Sequence, residues 1–228
     1  MFMHNKYTLV CAVVGASLSI ATSASAAVID WTNWTSSTNG NPGGSATGTA
    51  SGTTVNYSGE LQALVANYPS WGPTSTFSGG SVGNAPPQAD GIIRLYGGQL
   101  PTGGFTTDTI TFSKAVTNPV MAIWSLGQGG INASFNFTAT PMLQSGGPSN
   151  EYGGKSITVL GNNVYGSEGN GTVQFNGTYT SLSWTNPTYE GWYGFTVGVS
   201  AVPEPGEWAL MLSGISLMGF MVSRKKSA

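Results

Sequence analysis

The sequence predicts an all-β protein: a single antiparallel β-sandwich or jelly-roll-like domain at residues 28–202, flanked by an N-terminal signal helix and a C-terminal short transmembrane helix. Three observations predict the domain. β-branched and aromatic residues occur in short alternating runs, helical periodicity is almost missing, and glycine-rich turns separate the runs. With 34 Gly and 12 Pro among 228 residues, regular structure is interrupted often.

Residues 1–27 are typical of a secretory signal peptide. An uncharged apolar stretch at 9–20 is followed by Ala24 and Ala26, which supply the small-x-small pattern that signal peptidase requires. The stretch is too short to span a bilayer as a permanent helix. We therefore expect signal peptidase to cut after Ala26 or Ala27.

Cleavage of this segment removes the only Cys and the only His of the chain, Cys11 and His4. The exported part then cannot form a disulfide, a Ser-His-Asp triad, a Cys-His dyad or a His/Cys metal site. Charged residues make up only 7% of the chain, and the formal net charge is −2. The basic surface of a nucleic-acid-binding protein is missing, so we expect no nucleic-acid partner.

Eight runs rich in β-branched and aromatic residues predict the strands of the domain. They are residues 92–96, 105–112, 120–126, 131–138, 157–160, 173–175, 179–184 and 193–202. Alternation within 193–202 predicts a strand in a sheet with one buried face. Residues 60–66 fit either two helical turns or a strand. Asn176-Gly177, between two runs, predicts a hairpin, and the Gly/Ser/Thr/Pro-rich segments 36–54 and 69–90 predict long surface loops.

The C-terminal residues 203–228 contain three parts in order. These are the Pro203-Glu204-Pro205 motif, the uncharged residues 208–222 and the basic triplet Arg224-Lys225-Lys226. The prolines disfavour helix before them, which keeps the motif extended and accessible to a processing enzyme, and the triplet is expected to be a cytoplasmic stop. An apolar run of ~15 residues spans roughly 22 Å, less than the ~30 Å hydrocarbon core, which suits a transient anchor.

This arrangement resembles the PEP-CTERM sorting signal of Gram-negative bacteria. The resemblance implies that, after signal peptidase has acted, an exosortase-like membrane protease or transpeptidase recognises the motif at the inner membrane. It implies a chain that is exported through the inner membrane, transiently anchored there, and then placed at the cell surface or in the extracellular matrix, often with exopolysaccharide in biofilms. The resemblance covers about 27 residues and leaves the domain at 28–202 without a family. A plain single-pass anchor is the alternative.

The domain itself carries no catalytic motif, because its seven acids stand apart in the sequence. The leading expectation is a non-catalytic surface or extracellular-matrix protein associated with exopolysaccharide, and not an enzyme. A secreted carboxylate-dependent glycosidase remains an alternative, since it needs only two Asp or Glu residues. We expect no cofactor. Calcium is an alternative because the loops are rich in oxygen ligands, but no ligand residues can be assigned.

Aromatic residues support a further alternative, a carbohydrate-binding module with exposed rings that stack on sugars. Trp192 and Tyr193, which follow the turn at Asn186-Pro187, are its candidate contacts. Trp124 lies in an apolar run and is expected in the core. The remaining candidates fit either a sugar platform or the core: Trp31, Trp34, Trp71, Trp184, Tyr152, Tyr165 and Tyr189.

Overall fold

The computed structural model of the protein describes residues 26–67, 69–201 and 211–216. The first strands are β1 (Ile29–Trp31), β2 (Asn33–Thr38), β3 (Gly40–Ala50), β4 (Thr53–Leu61), β5 (Ala63–Val65), β6 (Ile92–Leu95), β7 (Thr107–Thr117) and β8 (Val120–Leu126). They are followed by β9 (Ala133–Phe137), β10 (Pro141–Gly146), β11 (Lys155–Ser156), β12 (Thr158–Leu160), β13 (Asn163–Gly166), β14 (Gly169–Phe175), β15 (Thr178–Thr185) and β16 (Tyr193–Ser200). A short helix, α1 (Thr74–Phe77), lies between two 3₁₀ turns at Pro69–Trp71 and Gln88–Asp90.

The strands form two 8-stranded sheets. Sheet 1 has the order β10-β14-β8-β16-β6-β5, with β1 also paired to β16 and β11 to β14. Sheet 2 has the order β12-β13-β9-β15-β7-β4-β3-β2. The pairings are antiparallel except that of β11 with β14. The predicted all-β, sandwich-like architecture is therefore confirmed.

The main core lies between the two sheets and is rich in aromatic rings. Trp184 of sheet 2 packs edge-on against Phe195 of sheet 1, with ring centroids 5.0 Å apart. Phe137 and Phe175 meet across the sheets in the same way at 4.9 Å. Each such pair contributes about 0.5–1.5 kcal/mol beyond the burial of its area. The two sheets are thus joined by directional ring contacts as well as by apolar burial.

A second core covers the outer face of sheet 1. Trp71 and Phe77, from the segment between β5 and β6, pack there edge-on at 5.1 Å, in the same cluster as Val120 and Trp124 of β8. The prediction of one buried face for residues 193–202 is wrong, because β16 is buried on both faces up to its last residue. The segment 69–90 is irregular, as predicted, but it covers a sheet.

Two local predictions are corrected by the pairing of strands. The prediction of a loop at residues 36–54 is wrong, because they belong to β2, β3 and β4. Asn176-Gly177 does not close a hairpin, because β14 pairs in sheet 1 and β15 in sheet 2. The turn carries the chain across the sandwich beside Asn118, whose backbone N–H donates to the Gly177 carbonyl oxygen at 2.8 Å. The strand interpretation of 60–66 is the right one, since β4 and β5 fill most of it.

The two ends of the domain lie side by side. Ala26 is exposed. Ala27 donates its N–H to Ser81 and accepts from the N–H of Gly83 at 2.7 Å, and the N–H of Ala201 donates to the Val28 carbonyl at 2.9 Å. The described ends of the domain, at Ala27 and Ala201, therefore lie close to each other.

The predicted sorting elements fall largely outside the described residues. Ala24, the Pro203-Glu204-Pro205 motif and the Arg224-Lys225-Lys226 triplet all lie there. Residues 211–216 are helical, with Met211, Leu212 and Ile215 exposed. Within the described ranges, no helix has the length and apolarity needed to cross a membrane.

Candidate functional site

A cavity of about 310 Å³ opens next to the outer core of sheet 1. Its walls come from the end of β8, the loop after β10, the turn before β14 and the loop before β16. The lining residues are Ser125, Gln128, Tyr152, Glu168, Glu190, Gly191 and Trp192. The volume is at the lower end of the roughly 300–1,000 Å³ that is usual for small-molecule sites. A second cavity of the same volume, near Lys114, has neither an aromatic nor an acidic lining residue.

Aromatic rings form one side of this cavity. Trp124, which is 1% exposed, packs against Tyr152 with centroids 5.6 Å apart and against Trp192 at 6.2 Å. Tyr152 is 46% exposed, so its ring borders the opening. The guanidinium of Arg94 lies over the Trp192 ring. Fixed rings of this kind offer an apolar surface for the C–H face of a ligand.

The backbone beneath the cavity is held in unusual conformations. Ser125 and Glu168 are not glycines, yet their φ angles are 54° and 56°. Such residues cost on the order of 1–3 kcal/mol each and concentrate at functional sites. Ser125 donates its hydroxyl to Glu168 Oε2 at 2.8 Å and its N–H to Asn170 Oδ1 at 2.8 Å. A Cβ on Gly154 would overlap the carbonyl oxygen of Glu168, so only glycine permits this approach.

A β-bulge explains why these side chains reach the cavity. The register of β14 against β8 shifts between Gly169 and Gly171. A bulge bends its strand and redirects the side chains beside it, and bulges are frequent next to active sites. Asn170, which is 1% exposed, fixes the irregular segment because its Nδ2 donates to the carbonyls of Gly153 and Glu168, both at 3.1 Å.

Two carboxyl groups face the same cavity, Glu168 and Glu190. Glu190 is 2% exposed, and its Oε1 has no hydrogen-bond partner among the described residues. Burial raises the pKa of Glu190 to about 8, and the charge of Glu168 adds to this, while the backbone N–H of Trp192 favours the charged form. A buried polar atom without a partner is rare and costly, and it calls for an explanation.

A second acidic cluster, Glu60 and Asp108, has a structural role. Glu60 accepts the N–H groups of Tyr96 and Gly97, both at 2.9 Å, and so holds the end of β6. Asp108 Oδ1 accepts the Tyr57 hydroxyl at 2.6 Å and the Glu60 N–H at 2.7 Å. Burial raises the pKa of Asp108 to about 7. These carboxyl groups join β4, β6 and β7, and neither of them lines the cavity described above.

The two predicted sugar contacts, Trp192 and Tyr193, lie in different parts of the structure. Trp192 lines the cavity, whereas Tyr193 is 0% exposed and packs on Phe135 in the main core. Tyr193 is therefore not an exposed sugar contact: it is the first residue of β16, with its ring between the sheets. Of the other candidates Tyr152 lines the cavity. The Trp side chains that fitted either role are buried: Trp31, Trp34, Trp71 and Trp184. Trp124 is in the core, as expected.

The acids of the cavity were not identified from the sequence. Glu168 and Glu190 lie in separate loops, and only the pairing of β8 with both β14 and β16 brings those loops together. No local spacing signals this. For metals, the described part of the chain holds no group of three or more His, Cys, Asp or Glu side chains, and the calcium alternative gains no ligand set.

No family model, no curated protein and no solved structure matches this chain.

Proposed function

We propose that this chain is an exported, non-catalytic surface or extracellular-matrix protein whose β domain binds carbohydrate in the cavity between Trp192 and Glu190. One observation carries the binding proposal: fixed aromatic rings and a buried, unpartnered carboxyl oxygen face one cavity in the described part of the chain. Rings contact the C–H face of a sugar, and carboxyl and amide groups bind its hydroxyls. This combination is typical of small-molecule sites, which are mostly apolar with a few placed polar groups.

The proposed export rests on the two ends of the chain. Cutting after Ala26 would keep the hydrogen bonds of Ala27 to Ser81 and Gly83, whereas cutting after Ala27 would remove them. We therefore favour the first of the two predicted cleavage positions. Because the chain enters and leaves the domain at one place, an N-terminal signal and a C-terminal anchor would hold the same end of the sandwich towards the inner membrane. Signal peptidase and an exosortase-like enzyme are the proposed partners, with exopolysaccharide as the ligand.

Trp192→Ala is expected to weaken glycan binding by about tenfold or more, because loss of a stacked ring removes on the order of 1.5–3 kcal/mol. The full-length protein in mild detergent would be tested on a glycan array and by titration calorimetry. Phe105→Ala is the matched control, since Phe105 is 43% exposed but does not line the cavity. Equal loss in both variants, or no binding by the wild type, would refute the site.

Replacing Pro203 and Pro205 by Ala is expected to leave export intact but trap the protein in the inner membrane. The reason is that a processing enzyme needs the extended backbone that the prolines impose. Fractionation and mass spectrometry of the C-terminal peptide in the native host would measure this, with the exposed Pro101→Ala as control. Deleting residues 207–228 should give a soluble periplasmic product. If wild-type surface material retains residues 208–226, the plain anchor is correct instead.

A second candidate function, glycoside hydrolysis, is favoured by one specific observation. Two glutamates face one cavity, and the pKa of Glu190 is raised to about 8. Glycosidases use such a pair, with the protonated member as general acid. Release of reducing ends from a polysaccharide by the wild type, abolished in Glu190→Gln, would establish hydrolysis in place of binding alone.

A further inference from the structure

The charges that face the cavity are unbalanced. Its described lining contains two carboxyl groups and no Lys or Arg side chain. Glu168 is already bonded to the Ser125 hydroxyl, but Glu190 Oε1 is buried with no partner in the described part of the chain. A ligand binds such a site most tightly when it carries both hydrogen-bond donors and a positive charge, because charge-assisted hydrogen bonds are about twice as strong as neutral ones.

We infer that the ligand carries a primary ammonium group, and that the cavity binds an amino-sugar residue in preference to a neutral one. This inference rests on the proposed glycan-binding function. An ammonium group has three donors, so it can reach Glu190 Oε1 and Glu168 at once and offset their mutual repulsion. A neutral hydroxyl has a single donor and brings no charge that would stabilise an ionised Glu190. The Tyr152 and Trp192 rings add favourable contact for a cation as well as for the sugar ring.

Arg94 is the feature that could reverse this preference. Its guanidinium lies over the Trp192 ring, which covers one face of the indole. A ligand therefore contacts the part of Trp192 that Arg94 and Trp124 leave uncovered, and the ring of Tyr152. If Arg94 instead bound the ligand directly, an acidic sugar would be selected. The charge of the preferred sugar distinguishes the two possibilities.

The release of a proton on binding is a second measurable property that distinguishes an ammonium ligand from a neutral one. The titratable groups around Glu190 are Glu168, Tyr152 and Tyr193, and Arg94 lies over the Trp192 ring. Since burial and Glu168 raise the pKa of Glu190 to about 8, its carboxyl is mostly protonated at pH 6.5. Pairing with an ammonium group ionises the Glu190 carboxyl, so about one proton is released for each ligand whose amine is already charged before it binds.

The experiment compares three oligosaccharides of equal length at pH 6.5: a glucosamine hexamer, an N-acetylglucosamine hexamer and a galacturonate hexamer. Binding to the full-length protein is measured by calorimetry in two buffers of different ionisation enthalpy, which reports the protons released. We expect the glucosamine hexamer to bind about tenfold more tightly than the acetylated one. In Glu190→Gln this preference and the proton release should disappear, because the amide cannot ionise. Asp90→Asn, an acid outside the cavity lining, should behave as the wild type.

Each other outcome has a definite meaning. Equal binding of the glucosamine and acetylated hexamers without proton release overturns the ammonium inference and leaves glycan binding in place. A preference for the galacturonate hexamer overturns it in favour of Arg94. Persistence of the glucosamine preference in Glu190→Gln also overturns it. If none of the three hexamers binds, and the glycan array is negative as well, the proposed function fails together with the inference.

Discussion

Asp108→Asn is expected to reduce the fall in unfolding free energy that the wild type shows between about pH 4 and pH 7, with Glu190 contributing the rest. Burial raises the pKa of the Asp108 carboxyl to about 7; the Tyr57 hydroxyl and the Glu60 N–H lower it, and the Glu60 charge raises it further. An Asp in an unfolded chain has a pKa near 3.9. The carboxyl therefore gains a proton on folding across this range.

The direction in which the unfolding free energy changes with pH follows from the number of protons bound in each state. Between pH 4 and 7 the folded protein binds more protons at Asp108 than the unfolded chain does, so the unfolding free energy falls as pH rises. The penalty is zero below both pKa values and complete above about pH 7, where it amounts to a few kcal/mol. The amide introduced by Asp108→Asn would keep an oxygen to accept from Tyr57 and Glu60, but it has no charge to desolvate.

Urea unfolding of the full-length protein at pH 4, 5.5, 7 and 8 measures this effect. Tyr57→Phe is the informative companion variant, because it removes a hydrogen bond that lowers the pKa of Asp108. The unfolding free energy of Tyr57→Phe should therefore continue to fall up to a higher pH than that of the wild type does. A wild-type unfolding free energy that stays constant or rises from pH 4 to 7, or an Asp108→Asn variant with an unchanged slope, would contradict this account.

The strands that the sequence predicts well are those with large apolar residues. β8 has the predicted bounds because all seven of its residues are buried, with Trp124 and its apolar neighbours between two cores. Strand β3 was missed because its buried positions hold Gly44, Ala46, Gly48 and Ala50. These small residues alternate with exposed ones, as in any half-buried strand, but they carry no hydrophobic signal. A Cβ on Gly48 would overlap Thr32 and Asn33, so close packing requires the small residue.

The turn at Asn176-Gly177 shows a different limit. A type I′ turn requires positive φ at both central residues, but Asn176 does not have one, and the chain makes only a bend at Gly177, whose φ is 120°. Which strands the turn joins depends on pairing partners far along the chain. Here β14 pairs with β8 and β10, whereas β15 pairs with β7 and β9. The local sequence therefore predicted a change of direction, but neither the turn type nor whether the chain closes a hairpin or crosses between the sheets.

In the candidate site, too, the sequence predicts the features that depend on local pattern but not those that depend on distant contacts. Trp192 could be proposed from its position after a turn, and Tyr193 was wrongly given the same role because alternation places neighbours on opposite faces. The acids required three-dimensional information. The loop of Glu190 is fixed by its backbone N–H to the Tyr96 carbonyl at 2.9 Å, and that of Glu168 by a β-bulge. Neither contact leaves a pattern in the sequence.

Glu190→Gln is expected to raise the unfolding free energy relative to the wild type more at pH 9 than at pH 4.5. Burial and the Glu168 charge raise the pKa of Glu190 to about 8, so above that pH the folded protein holds an unfavourable buried anion. Because a Glu in the unfolded chain has a pKa near 4.3, the wild type loses on the order of a few kcal/mol between pH 4.5 and pH 8 through this residue. The variant lacks this loss. Comparing the two pH values cancels any fixed cost of placing an amide at the unpartnered position.

The measurement is the difference in unfolding free energy between variant and wild type at each pH, from urea unfolding of the full-length protein. Glu168→Gln is the matched control: it removes the charge that raises the pKa of Glu190, so it should reduce the pH slope without abolishing it. The contribution of Asp108 is common to all three proteins and cancels. A difference that is the same at pH 4.5 and pH 9 would mean that Glu190 is not a destabilising anion. A difference that favours the variant more at pH 9 than at pH 4.5 would show that the domain retains, at a cost in stability, a buried carboxyl with one oxygen unpartnered among the described residues. That is expected of a residue kept for a ligand.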